Sequence, residues 1–210
     1  MSVPMSQVLA TARTYLNDDN ATQFPDPVLI PKVQEAHREL QEELWAIGSP
    51  IVRGAVLASY TVGGVRLDAP AFPPTDLLCP FMLWENASGS TIITPGWQPM
   101  TEAFYIPLGT APGNTLGFWV WQQEAVLLAG STANRAVVVW YRRQINIPVL
   151  ATDVIGILFG ESYLAARTAA IAAGTVGSKD TYEAMTALSK ENLAKVIAAN
   201  RGQQKPLIKP

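Results

Sequence analysis

Apolar positions recur at helical spacing through Met5, Val8, Leu9, Ala12, Tyr15 and Leu16, which predicts a first helix over about 5–17. The pattern stops at "NDDN" (17–20), side chains that bond their own backbone and favour turns over helix interiors. "FPDP" at 24–27 keeps the chain extended, because a residue before proline avoids the helical region. Asp26 then stands where it can cap a second helix, with Pro27 at its first position, where a missing N–H costs nothing. That helix reads over 27–47, with Leu29, Val33, Ala36, Leu40, Leu44 and Ile47 in one apolar stripe. Its polar face carries Lys32, Glu35, Arg38, Glu39, Glu42 and Glu43, and Gly48 and Pro50 end it.

From 50 to about 148 the pattern changes. "IVRGAVLASYTV", "STIIT", "EAFYIP", "LGFWVWQQEAVLLAG" and "RAVVVWYRRQ" are rich in β-branched and aromatic residues, and Gly, Pro, Asn and Ser separate them. Five to seven antiparallel strands are expected, with "VGGVRL" and "LLAGSTANRAVV" as hairpin connections. Helical periodicity returns at 153–173, behind a Thr152/Asp153 cap, and again at 179–200. The alanines at 165, 166, 169, 170 and 173 allow close helix packing. "RGQQKPLIKP" has no period and reads as an extended tail.

Runs of helices flanking a run of strands define an α+β fold. The expected organisation is an N-terminal helical hairpin (1–49), an inserted antiparallel β-rich module (50–150), the C-terminal helices of the same bundle (151–200) and the tail (201–210).

Composition narrows the function classes. Of 210 residues, 49% are apolar and only 15% are charged, which leaves room for apolar surface as well as a core. A net charge of −2 is not the basic footprint of a nucleic-acid wrapper. Cys79 is the only cysteine and His37 the only histidine, so an intrachain disulfide and a multi-histidine zinc site fall away. Cys79 lies among apolar residues and is expected to pack, and His37, beside the apolar stripe of the second helix, is expected as a packed or surface residue and not as a ligand or general base. No phosphate-cradling glycine loop and no nucleophile elbow is legible, so no catalytic residue, cofactor or metal is expected. The most apolar window, 154–173, is broken by Glu161 and Arg167, so the sequence reads as a soluble intracellular chain without a membrane span.

Three groups of residues remain as candidates. Glu35, Glu39 and Glu43 stack at four-residue spacing, where like charges disfavour a helix. They read either as a solvated outer face or as an acidic lining that repels phosphate. Trp119 and Trp121 alternate onto one strand face, Phe118 and Val120 onto the other, and the two tryptophans are expected to anchor a neighbouring subunit. Leu207 and Ile208 in the tail form a small apolar plug framed by Lys205 and Lys209, with Pro206 limiting the freedom lost on docking. "WYRRQ" offers no clamp, because Arg142 and Arg143 face opposite ways.

The chain resembles the head-to-tail adaptor (connector) proteins of tailed bacteriophages. The resemblance is carried by "YLNDDNATQFPDPVLIPKVQEAHRELQEEL" (15–44), by "LDAPAFPPTDLLCPFMLWE" (67–85), and by the paired late helices of 153–200. It implies a virion structural protein, in a ring of twelve copies that docks under the portal protein, links it to the next tail or head-completion protein and encloses the DNA channel used in genome ejection. Under it, Arg201, Lys205, Pro206, Leu207, Ile208 and Lys209 correspond to a portal-docking extension, and Glu35, Glu39 and Glu43 to a channel lining past which DNA moves without sequence-specific binding. A tail-tube or tail-completion ring protein is the neighbouring reading. A carbohydrate-binding or hydrolytic β-module on a helical base is the rival from another class, because exposed tryptophans and paired carboxylates suit sugars.

Overall fold

The computed structural model describes residues 3–67, 72–90, 95–106 and 111–201. The chain is α+β and divides into two compact units: Met1–Val52 together with Ile145–Pro210, and Arg53–Gln144 between them. The first unit is therefore built from both ends of the chain. The expected module boundaries at 50 and 150 each lie a few residues outside the observed ones.

The helical unit begins with a two-residue strand β1 (Val3–Pro4), followed by α1 (Met5–Tyr15) and α2 (Asp26–Ala46). After the inserted unit come β9 (Val154–Ile155), α3 (Gly160–Thr175) and α4 (Lys179–Asn200). The apolar stripes of α1 and α2 close on one core of Val8, Leu9, Leu29, Val33, Leu40 and Leu44, joined by Leu164 and Val196. All the other helices pack against α3. Its alanines 165, 166, 169, 170, 172 and 173 are fully buried, and their small size lets neighbouring backbones approach. Ser49 Oγ donates to the Asn200 carbonyl at 2.7 Å, tying the end of α4 to the turn after α2.

The acidic turn between α1 and α2 is a hydrogen-bond hub. The Asp18 carboxylate accepts N–H bonds from Thr22, Gln23 and Phe24. Burial pushes its pKa up, but those bonds outweigh it and hold the carboxyl below its ordinary value. Asp26 does not cap α2, as its position predicted. Pro25 occupies the N-cap, and the Asp26 carboxylate instead pairs with Arg13 at the end of α1.

The largest departure is at α3, expected from 153 and observed from Gly160. Asp153 Oδ2 accepts N–H bonds from Val149 (2.8 Å) and Leu150 (2.9 Å), so it closes a turn instead of capping a helix. Val154 and Ile155 then pair with Pro4 and Val3 as an antiparallel two-stranded sheet. Phe159 follows in the left-handed region at φ 58°, a costly conformation for a bulky residue.

The inserted unit holds seven strands among the described residues. They are β2 (Arg53–Tyr60), β3 (Leu77–Ala87), β4 (Gln98–Pro99), β5 (Thr101–Glu102), β6 (Phe118–Gln122), β7 (Ala125–Leu128) and β8 (Arg135–Arg143). One sheet runs β2-β8-β3-β4 and is antiparallel; the second runs β5-β6-β7, where the short β5–β6 pair is parallel. Neither connection expected to be a hairpin joins adjacent strands: β2 pairs with β8, and β7 and β8 lie in different sheets. The hairpin of this unit is β6–β7, turned by Gln123 and Glu124 at positive φ. Between the sheets lie Tyr60, Leu83, Leu116, Trp119, Leu128 and Val139. Gly54 has no freedom to be anything larger, because a Cβ there would stand 2.3 Å from Tyr141 Cζ. That ring is pinned by its hydroxyl, which donates to Asp76 at 2.9 Å, while Arg143 Nε donates to the other carboxylate oxygen at 2.6 Å.

Candidate functional site

The acidic row on α2 is divided by the fold. Glu35 is exposed, whereas Glu39 is taken up by α3: Arg167 donates to it through Nε (2.6 Å) and Nη2 (2.8 Å). This bidentate pairing, against the cost of burying the guanidinium, holds Arg167 more firmly protonated than usual. A cation in the middle of the row explains how three glutamates at four-residue spacing are tolerated. The expectation of one continuous acidic lining is thereby corrected for Glu39, whose charge is already matched.

Glu43, the last of the row, lines a cleft of about 470 Å³ between α2, α3 and α4. Tyr163 and Arg167 form the α3 wall; Thr186, Ser189 and Lys190 come from α4. Burial, and then the negative charge of Glu39, push the Tyr163 phenol up to about 12, so it keeps its proton at neutral pH. Nothing in the sequence placed Tyr163 or Arg167 at a site. Their only signal was a charge and a phenol inside an otherwise alanine-rich helix.

His37 is fully buried. Its Nδ1 accepts from Gln41 Nε2 at 3.0 Å, which puts the ring proton on Nε2, a buried atom with no partner. Gln41 also bridges to the backbone of Ile145, accepting its N–H at 2.9 Å and donating to its carbonyl at 3.1 Å. The histidine is a packing element, as expected, and burial followed by the charge of Arg38 lowers its pKa to about 4.

The two tryptophans are separated by their environments. Trp119 is 1% exposed and sits within its own unit's core, while Trp121 is half-buried and packs edge-on to Phe72. A side chain so enclosed has no surface left for a neighbour, which corrects the interface role expected of Trp119. The outward aromatic on that strand is Phe118, 52% exposed. Alternation gave the two faces of β6 correctly but assigned the covered one to a partner.

A surface the sequence did not reveal lies in the helical unit. Val149, Leu150, Val154, Leu158 and Phe159 are between 44% and 62% exposed within eleven consecutive residues. The first two are held outward by the Asp153 turn, whose N–H bonds from Leu150 and Val149 keep that carboxyl below its ordinary pKa. Met5 N–H donates to the Asp153 carbonyl (2.8 Å) and Ser6 N–H to that of Ala151 (2.7 Å), fixing the turn to the start of α1. Apolar side chains exposed on so well-braced a backbone are a presented surface.

Of the predicted docking tail, Arg201 is exposed at the end of α4, and Lys205, Pro206, Leu207, Ile208 and Lys209 lie outside the described residues. No group of His, Cys, Asp and Glu among the described residues could hold a metal ion, and no described helix is long and apolar enough to cross a membrane. No family model matches the chain, and no curated protein is significantly similar to it.

Proposed function

We propose that the chain is a structural subunit of a phage neck, a head-to-tail adaptor whose copies form a ring under the portal and continue the DNA channel towards the tail. The observation that carries this reading is the braced apolar segment of Val149, Leu150, Val154, Leu158 and Phe159. A subunit that must join identical neighbours needs apolar surface on a rigid support, since ordering a loose loop on contact would consume much of the binding energy. The arrangement of a helical unit from both chain ends with an inserted β-unit supports the same reading, because it is the organisation of the proteins the sequence resembles. In this reading residues 201–210 dock on the portal.

The reading is tested by placing charges on the segment. The double substitution Leu150→Asp and Phe159→Asp is expected to abolish assembly in sedimentation velocity while leaving circular dichroism unchanged, because both side chains already face solvent. Assembly equal to the parent chain would remove this surface from the ring and the reading's main support with it.

A further inference from the structure

The end of α4 is fixed against the exposed apolar segment. Asn200, its last residue, is buried, and its Nδ2 donates to the Leu158 carbonyl at 2.9 Å and to the Val196 carbonyl at 2.8 Å. Ser49 Oγ holds the Asn200 carbonyl, and Arg201 N–H still donates to the Ile197 carbonyl at 2.8 Å. Residues 202–210 therefore depart beside Leu158, whose side chain is 44% exposed, and its neighbour Phe159, 57% exposed. Burial does not account for a phenylalanine at that place. Backbone preference does not either, since Phe159 stands at φ 58°.

The sequence beyond Arg201 matches this surface in reach, in apolar content and in charge. Leu207 and Ile208 lie six and seven residues past Arg201, within about 25 Å of extended chain. The five residues that lead to them, 202–206, are an ordinary length for a connection that reverses the chain, and they begin with Gly202. Lys205 and Lys209 flank the apolar pair, and 202–210 contains no Asp or Glu. The surface has the opposite sign. Asp153 and Glu161, the latter in the first turn of α3, bracket Val154–Phe159, and 149–161 contains no Lys or Arg. An apolar pair framed by cations thus faces an apolar segment framed by carboxylates.

We propose that Leu158 and Phe159 are the docking site of this chain's own residues 202–210, with Leu207 and Ile208 seated on them and Lys205 and Lys209 directed to Asp153 and Glu161. The tail of the same copy is the occupant because its origin is already bonded to the site through Asn200. A tether of a few residues holds the apolar pair at a local concentration on the order of millimolar, which a separate chain does not reach. Pro206 and Pro210 reduce the freedom lost on docking. The inference concerns the surface that the adaptor reading assigns to a neighbouring copy, but it describes the single subunit and does not depend on that reading.

The test is NMR on the full chain, at a dilution where sedimentation velocity shows single subunits, so that a failure of ring assembly leaves the result unaffected. Nuclear Overhauser contacts are expected from the Leu207 and Ile208 methyl groups to the Phe159 ring and the Leu158 methyl groups. The full-length double variant Leu207→Asp, Ile208→Asp is expected to lose them and to shift the Val154, Leu158 and Phe159 amides, with its other resonances unchanged. A peptide of residues 202–210 added to that variant is expected to give saturable shifts at the same three amides. In the unaltered chain the resident tail competes, and the same shifts are expected to need a peptide concentration about tenfold higher or more. Three results would overturn the proposal: no tail contact to Leu158 or Phe159 in the unaltered chain, equal peptide affinity in the two proteins, or contacts seen only between differently labelled copies, which would make a neighbour's tail the occupant.

Discussion

Glu85→Gln is expected to destabilise the β-unit by about 3 kcal/mol, the largest effect of any single substitution outside its apolar core. Glu85 is 3% exposed on β3, and its carboxylate is fully engaged. Oε2 accepts the Leu116 N–H at 2.9 Å and Oε1 accepts the Gly117 N–H at 2.8 Å, so one side chain joins the four-stranded sheet to the start of β6. Arg135, across the sheet on β8, supplies the countercharge with Nε 3.7 Å from Oε2. Glutamine would keep one acceptor and turn an NH2 towards the other N–H, leaving a buried donor unpaired and Arg135 without its partner. Tryptophan fluorescence in a urea titration reads this unit almost selectively, since all the tryptophans but Trp45 lie in Arg53–Gln144. A midpoint unchanged by the substitution would show that the loop before β6 is held by other contacts.

Acidification is expected to weaken the helical unit through His37, by up to roughly 3 kcal/mol between pH 6.5 and pH 4. The folded unit holds the ring neutral, whereas the unfolded chain takes up a proton near 6.5. Below that pH the unfolded state binds more protons. The contribution is therefore complete above 6.5, declines as pH falls and stops changing below about 4, where both states are protonated. His37→Leu removes the titrating ring and its unpartnered Nε2 while keeping an apolar side chain in the core. Urea unfolding followed by helical circular dichroism, at steps from pH 7 to pH 5, is expected to show a decline in the parent chain that the variant lacks. Parallel declines would assign the acid sensitivity to carboxylates.

How much of this was legible in the sequence depended on the distance over which each feature is decided. The α4 boundaries, 179–200, were read correctly because glycine punctuation and apolar period are local signals. The start of α3 was misplaced because β9 exists only through pairing with Val3 and Pro4, some 150 positions away. Asp153 can cap a helix or close a turn, and that distant pairing selects the turn. The β6–β7 hairpin was not among the connections read from the sequence because its turn uses Gln123 and Glu124 at positive φ, where glycine or asparagine is the usual sign. The candidate sites show the same division. Helical spacing stacked Glu35, Glu39 and Glu43 correctly, but the partner of Glu39 is Arg167, 128 positions away in another helix. Period 2 separated Trp119 from Phe118, yet which face is covered is settled by the opposing sheet. In the exposed segment, Val154, Leu158 and Phe159 fell inside the helical period read from 153, and Val149 and Leu150 lay ahead of it with no periodic signal.

The proposed role as a ring subunit is tested most directly by electron microscopy of the purified protein mixed with isolated portal rings. The expected result is a second ring of 22.7 kDa subunits, coaxial with the portal and enclosing an open channel. Single subunits beside bare portal rings, at concentrations well above those of the portal, would contradict it.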